Sequence, residues 1–269
     1  MGKKVQSLKS TAVTTVLLAL FRVANAGESG NLVTDRPDFV ESSDVVGDGR
    51  FGVEVGLAVE RTRRDTFRAR TMSTPVLLRM GIGQAWELRV ETDGRVVQRL
   101  DDLTQGIRMT DLGYADVSIG AKWHVLDESA TTPSVGVLAH IDLDSGSPIF
   151  RGNGLRPSLR LVAEWDLPAG MSLGVMPGAA LNKSPDGTHN WSGIFAAVLG
   201  KSLSEQTRTF IEIALPRIAR ITHGGTLATI DTGITYLLSP AWQIDTALYK
   251  GLNRNTADLI WTVGLSSKF

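Results

Sequence analysis

The stretch RFGVEVGLAVE, residues 50–60, alternates two kinds of side chain without a break. Phe51, Val53, Val55, Leu57 and Val59 share one face, and Gly52, Glu54, Gly56, Ala58 and Glu60 share the other. A period of two belongs to a strand with unlike sides; a helical period of 3.6 does not reproduce it. The same reading finds candidate strands near 50–62, 66–78, 85–93, 114–126, 133–144, 155–167, 171–182, 191–202, 207–218, 226–238, 242–252 and 258–269. Each is at or slightly above the ~9–11 residues that a tilted strand needs to cross a bilayer. The expectation is an all-β fold, an antiparallel transmembrane β-barrel of about 12 strands over residues 50–269.

Nothing after residue 26 approaches the ~20 apolar residues of a membrane-spanning helix, so strands are what remains for crossing. Residues 1–26 read differently. Lys3, Lys4 and Lys9 precede an apolar run over 11–21 that ends near Ala24-Asn25-Ala26, the pattern of a secretory signal peptide. Arg22, between that run and the cut, is atypical. The chain has no cysteine, which removes disulfide frameworks and thiolate metal sites and is compatible with export through an oxidising compartment. Removing 1–26 takes four of the 28 basic residues and none of the 28 acidic ones, leaving a mildly acidic chain with no basic stripe. Nucleic acid is therefore not expected as a partner. Residues 27–49 remain as an N-terminal lead-in or a periplasmic or lumenal segment.

An Arg or Lys facing lipid at the bilayer midplane costs roughly 2–4 kcal/mol, so ionisable residues belong on the inner face. Glu54, Glu87, Arg89, Lys122, His124, His140, Asp142, Arg160, Glu164, Glu212, Asp231 and Asp245 all fall there and are the candidate pore lining. Inward Gly52, Gly56, Ala58, Gly120, Gly136, Gly174 and Gly178 are expected to leave space beside the wall. A barrel of this size lies between those that side chains fill and the wide porins, which predicts a narrow or gated passage. The six tryptophans fall on the apolar face, most near strand ends, as interfacial girdles would.

The connections alternate in length as barrel loops and turns do. The segment 94–113 reads as the longest outer loop, carrying Arg95, Arg99, Asp101, Asp102 and Arg108 just after Asp93, either as a constriction or as a tip that meets lipopolysaccharide headgroups. Later outer loops contain SGSPIFRGNG, KSPDGTHN and ARITHGG, whereas the first, Arg63 to Asp65, is very short. Pro75, Pro157, Pro177 and Pro216 lie inside proposed strands, so each needs a bulge or a strand end nearby. The segment 191–202, WSGIFAAVLGKS, is apolar on both faces and is a helix or a strand by periodicity alone; an even strand count favours the strand. The last strand alternates down to Phe269, a pattern that resembles the C-terminal signal read by the outer-membrane barrel assembly machinery.

Thr34-Asp35-Arg36-Pro37-Asp38-Phe39, followed by Glu41-Ser42-Ser43 and the first strand, resembles the opening of a bacterial family named for the MetA pathway of phenol degradation. Two later stretches are similar to the same family: residues 113–123, GYADVSIGAKW, and residues 233–240, GITYLLSP, running on to Asp245 and Gly251-Leu252-Asn253. The resemblance implies an outer-membrane barrel acting as a transporter or channel, in some cases beside aromatic-degradation genes. It carries over no catalytic residues. Asp35, Arg36 and Asp38 have two readings: a plug folded into the lumen, pairing with wall residues such as Glu54 or Arg89, or a polar extended lead-in shaped by Pro37.

The function expected is passive passage of small molecules, hydrophobic or aromatic ones among them, through the bacterial outer membrane. The partners are then outer-membrane lipid, the assembly machinery at Phe269 and a small-molecule permeant. Two alternatives stand beside it, a structural barrel without transport and a barrel lipid hydrolase. For the hydrolase, His124 and His140 face inward and His189 and His223 sit in outer loops, but no nucleophile, base and orienter can be named together. Metal ligation by His140 with Asp142 lacks a third ligand. No nucleotide-binding motif is present and no cofactor is expected.

Overall fold

A computed structural model describes residues 32–184 and 186–269. The signal-peptide expectation over 1–26 lies outside them. The strands are β1 (Phe51–Arg63), β2 (Phe67–Ser73), β3 (Val76–Ile82), β4 (Trp86–Thr92), β5 (Arg95–Asp102), β6 (Ile107–Tyr114), β7 (Val117–Leu126) and β8 (Ser134–Asp142). They continue as β9 (Arg156–Leu167), β10 (Met171–Lys183), β11 (His189–Ser202), β12 (Thr207–Ile218), β13 (Leu227–Ser239), β14 (Trp242–Gly251) and β15 (Leu259–Lys268). All pairs are antiparallel neighbours in one sheet, and β15 returns to β1.

That return closes the barrel. The β1–β15 ladder runs from Gly52 opposite Lys268 to Arg61 opposite Leu259. At its foot the Phe51 N–H donates to the Phe269 carbonyl at 3.1 Å, and the Phe269 N–H donates back at 2.8 Å. The Phe269 ring meets Trp242 edge-on at 6.1 Å. A barrel without this seam would present two unpaired edges to lipid, where each unsatisfied backbone group costs several kcal/mol.

Fifteen strands reduce to twelve staves because three staves are each broken once: β2 with β3, β4 with β5, and β6 with β7. The breaks lie side by side at Thr74-Pro75, Asp93-Gly94 and Ala115-Asp116. Register explains them. Val76 faces Thr92, but Ser73 faces Val96, so one stave carries one residue more than its neighbour between those pairs. The extra residue is a bulge at Gly94, whose φ of 64° is left-handed and where a Cβ would collide with the Thr74 carbonyl. Hydrogen bonding passes through the break, with Thr74 N–H to Asp93 at 2.9 Å and Ala115 N–H to Gly94 at 2.8 Å.

Residues 94–113 are therefore not an outer loop. They form a hairpin, β5–β6, that prolongs the wall outward and turns at 103–106. Sequence reading misses it because both faces of this hairpin carry mixed polar and apolar residues, so the two-sided contrast disappears. The longest connection between strands among the described residues is 143–155. The prolines behave as required: Pro75 sits at a break, Pro157 is the second residue of β9, Pro177 interrupts the β9–β10 ladder, and Pro216 lies in a register shift on β12. Segment 191–202 is strand β11.

The exterior carries an exposed apolar band that includes Leu88, Val90, Ile119, Leu159, Ile211 and Leu248. Trp86 and Trp123, opposite one another on β4 and β7, stack at 5.5 Å with their rings 6° apart. Val55 belongs to this band. Val55→Arg should destabilise the barrel in lipid vesicles by about 2–4 kcal/mol relative to Val55→Ala, measured by urea unfolding followed through tryptophan fluorescence; equal stability of the two variants would place Val55 away from lipid.

Candidate functional site: the barrel interior

Residues 32–50 enter the barrel and leave at the same rim. The Leu32 N–H donates to the Pro240 carbonyl at 3.0 Å, and at the other end the Gly81 N–H donates to the Arg50 carbonyl at 2.9 Å. Between these points the backbone forms neither helix nor strand. Its buried N–H groups must be satisfied some other way.

Wall carboxylates accept them. Glu54 takes the Asp35 N–H at 3.0 Å and Glu212 takes those of Phe39 and Val40, both at 2.8 Å. Glu164 takes Ser43 at 2.6 Å, and Glu87 takes Val46 at 2.9 Å. Four inward glutamates thus satisfy backbone donors that have no ladder partner, and so fix the course of an irregular segment.

Side chains complete the seat on one wall. Asp35 lies 2.5 Å from Arg89, 2.9 Å from Lys122 and 3.7 Å from Arg79, all at most 3 % exposed at their side chains. Arg79 also meets Glu87 at 2.8 Å and Glu54 at 3.1 Å, and Arg89 meets Glu41 at 2.7 Å and Glu87 at 3.0 Å. Arg160 pairs with Glu41. The wall opposes Arg79, Arg89, Lys122 and Arg160 with Glu54, Glu87 and, 4.0 Å from Arg89, Glu91; the segment adds Asp35 and Glu41. Burial pushes the Asp35 carboxyl up, but Arg79, Lys122 and Arg89 outweigh it and hold it well below the usual range. Burial likewise raises Glu41, and Arg89 with Arg160 bring it below its ordinary value.

The opposite wall carries an apolar cluster beside the buried Glu212, Asp231 and Asp245. Leu138, Val162, Met176, Ala196, Val198, Phe210, Ala214 and Ala247 form a buried cluster with Val40, and Phe39 and Tyr249 pack on it. The cluster explains why β11 is apolar on both faces: Phe195 and Leu199 are on the outer face, whereas Ala196 and Val198 belong to the cluster around Val40. Arg36 pairs with Asp245 at 3.2 Å, Asp38 with Arg208 at 3.0 Å, and the Tyr249 hydroxyl donates to the Pro37 carbonyl.

The space expected beside the inward glycines is occupied. A Cβ on Gly56 would lie 2.8 Å from the Arg36 guanidinium, one on Gly136 would lie 2.9 Å from Ser43, and one on Gly174 would lie 3.0 Å from Val40. These positions are the bed of the segment.

The other inward residues sit at its margins. His124 bonds the Ser43 carbonyl at 3.1 Å and Asp127 at 2.9 Å. His140 is buried with both ring nitrogens unpartnered among the described residues, and its closest carboxylate is Glu91 at 3.8 Å. Neither imidazole bonds a hydroxyl there. Asp231 accepts from Thr229 at 3.2 Å, and Asp142 lies 3.7 Å from Arg156. Sequence reading missed Arg79, the most connected cation, because the proposed strand stopped at 78; its parity with the inward residues of VLLRMGI was the available signal. It also missed Glu41, Arg208 and Tyr249.

On the side of the segment away from its rim lies a cavity of about 710 Å³. Asp35 to Phe39 and Glu41 form its floor, and Pro75, Leu77, Glu91 and Asp116 contribute to its walls. Loop 143–155 folds over it and brings Phe150 and Arg151 to the lining. Asp116 holds that loop, accepting from Gly146 at 2.8 Å, Gly152 at 2.7 Å and Arg156 at 2.6 Å. This loop, not 94–113, lies over the cavity.

A family described as "Putative MetA-pathway of phenol degradation" matches residues 34–269. The chain belongs to that family. Among solved structures, the COG4313 outer membrane channel from Pseudomonas putida F1 is similar in fold, with a TM-score of 0.61 at 10% identity over 85% of this chain and 98% of that one. The KdgM porin in complex with disordered oligogalacturonate has a TM-score of 0.55 at 9% identity, covering 81% and 99%. The beta domain of the Bordetella autotransporter BrkA has a TM-score of 0.54 at 8% identity, covering 82% and 99%. Among curated proteins no sequence matches. The family member thus shares its architecture with outer-membrane barrels of differing roles.

Removing one partner of a buried ion pair typically costs about 3–5 kcal/mol. Asp35→Ala leaves Arg79, Arg89 and Lys122 short of a shared carboxylate and should loosen the segment while the barrel stays folded. Limited proteolysis of the folded protein should then cut within 32–50 at least tenfold faster than in the unaltered chain; unchanged protection would show that Asp35 does not hold the seat.

Proposed function

We propose that this chain is an outer-membrane channel that lets small molecules diffuse passively, with hydrophobic or aromatic compounds as its cargo and residues 32–50 as a displaceable plug. The observation that carries the reading is the 710 Å³ cavity floored by that segment. The floor is held by hydrogen bonds and ion pairs and not by the strand ladder, so it can shift without opening the sheet. Phe39, Phe150, Pro75, Val76 and Leu77 give the cavity apolar surface beside Arg89 and Arg160, which suits a largely apolar molecule with a polar substituent. The inward charged residues line the route that opens when the segment moves, where pore width and charge together select what passes.

The apolar cluster around Val40 favours a second reading, a barrel that braces the membrane with its lumen filled. The two differ in a planar bilayer. The channel gives discrete conductance steps that grow when residues 32–46 are deleted, together with faster phenol entry into protein-loaded vesicles; the brace stays silent in both assays. Hydrolysis of phospholipid by the purified protein in detergent would instead support the hydrolase class.

Phe269 closes the seam with Phe51, and in this reading it is also the recognition signal for assembly. Its deletion should lower the amount of heat-modifiable protein in outer membranes several-fold; full assembly without it would reject that role.

A further inference from the structure

Outside the lumen, the outward face of the barrel carries two rows of arginine. Directly opposed residues share a face, so the ladders place Arg61 beside Arg70 and Arg70 beside Arg99 in one row. The next row sets Arg63 beside Arg68, Arg68 beside Asp101, and Asp101 beside Arg108. All six arginines are exposed, and they line a hollow of about 370 Å³. Like charges directly across a ladder are destabilising, and here they are stacked three deep with one carboxylate among them. Asp101 is taken by Arg108, and among the described residues no ion pair or side-chain hydrogen bond engages the guanidinium groups of Arg61, Arg63, Arg68, Arg70 or Arg99.

The level of the rows identifies what neutralises them. Two residues nearer the membrane on the same face stand Trp261, Val59, Met72, Val97 and Leu112, paired across successive strands. That row is lipid-facing with an interfacial tryptophan, and the arginines begin about 7 Å beyond it, the distance of two residues along a strand. They lie at the rim opposite the one where Phe51 and Phe269 pair, which in outer-membrane barrels is the side of the outer leaflet. The lipid there is lipopolysaccharide, whose lipid A carries phosphates at the boundary between acyl chains and sugar. Arginine presents a planar fork that binds phosphate oxygens in pairs and is the residue type suited to such a ligand.

We propose that the outward arginines of β1, β2, β5 and β6 form a lipid A phosphate-binding site on the outer wall, separate from the lumen. The site rests on the outer-membrane placement and not on permeation, so a silent channel would leave it standing. It also gives the β5–β6 hairpin a role: by prolonging the wall it adds Arg99 and Arg108 to the patch.

The test uses the full mature protein in detergent, with bisphosphorylated lipid A as the probe and thermophoresis as the readout. Arg61→Gln/Arg70→Gln/Arg99→Gln should bind lipid A at least tenfold more weakly than the unaltered protein, while heat-modifiable mobility shows that it folds. If the triple variant fails to fold, Arg70→Gln alone, at the centre of the row, should weaken binding about threefold. Dephosphorylated lipid A should bind the unaltered protein as weakly as lipid A binds the variant. Three outcomes overturn the site: equal affinity of folded variant and unaltered protein, equal affinity for the dephosphorylated lipid, or inorganic phosphate binding as tightly as lipid A.

Discussion

A backbone N–H with no water beside it must find an acceptor, and most of this structure is an answer to that demand. In the wall the answer is the closed ladder: β15 returns to β1, and the terminal residue Phe269 exchanges both hydrogen bonds with Phe51. In the lumen it is different, because residues 32–50 have no strand neighbour. Their donors are met by glutamates that project from the wall, namely Glu54, Glu87, Glu164 and Glu212. The strands create the inside, and the inside then requires carboxylates at particular heights.

The charges follow from the same requirement. A buried carboxylate is costly unless paired, and each wall glutamate that serves the segment on the Arg79 side is itself shared with Arg79 or Arg89. Asp35 and Glu41 give Arg79, Arg89, Lys122 and Arg160 further carboxylate partners, so the segment and the wall complete one another. Across the lumen the same segment turns Phe39 and Val40 toward an apolar cluster. One short stretch of chain thus bridges a charged and an apolar cluster, and its sequence, charged residues followed by Phe39-Val40 and then Glu41, is ordered accordingly.

Function is built above this floor. A break crosses three staves at Thr74-Pro75, Asp93-Gly94 and Ala115-Asp116, and Asp116 at that break ties down loop 143–155 over the cavity. Mouth, cavity and floor are therefore held in different ways: the staves by continuous ladders, the loop by Asp116 together with bonds to Tyr114 and Val117, the segment by scattered polar bonds. In the proposed function this floor is displaced inside a rigid wall to open the passage, and the exterior stays free for contacts with lipid.

Strand alternation was legible in the sequence wherever one side of the strand met lipid and the other did not, which is why β1, β7 to β10 and β12 to β15 follow from periodicity within a few residues. It was not decisive at β5 and β6, where both faces mix polar and apolar residues, or at β11, apolar on both faces for two different reasons, where the even strand count gave the strand. Inward parity placed Glu54, Glu87, Arg89 and Lys122 on the inner face, yet gave no means of knowing that Asp35 would sit among the three cations, because that contact joins residues as far apart in the chain as 35 and 122. Glycines at 56, 136 and 174 looked like empty space, and only the folded chain shows what fills them. By itself the sequence determined a wall with two unlike faces, since that contrast is local and repeats every second residue. The tertiary structure decided what occupies the inside, since that depends on which staves closure brings around a segment that has no regular structure of its own.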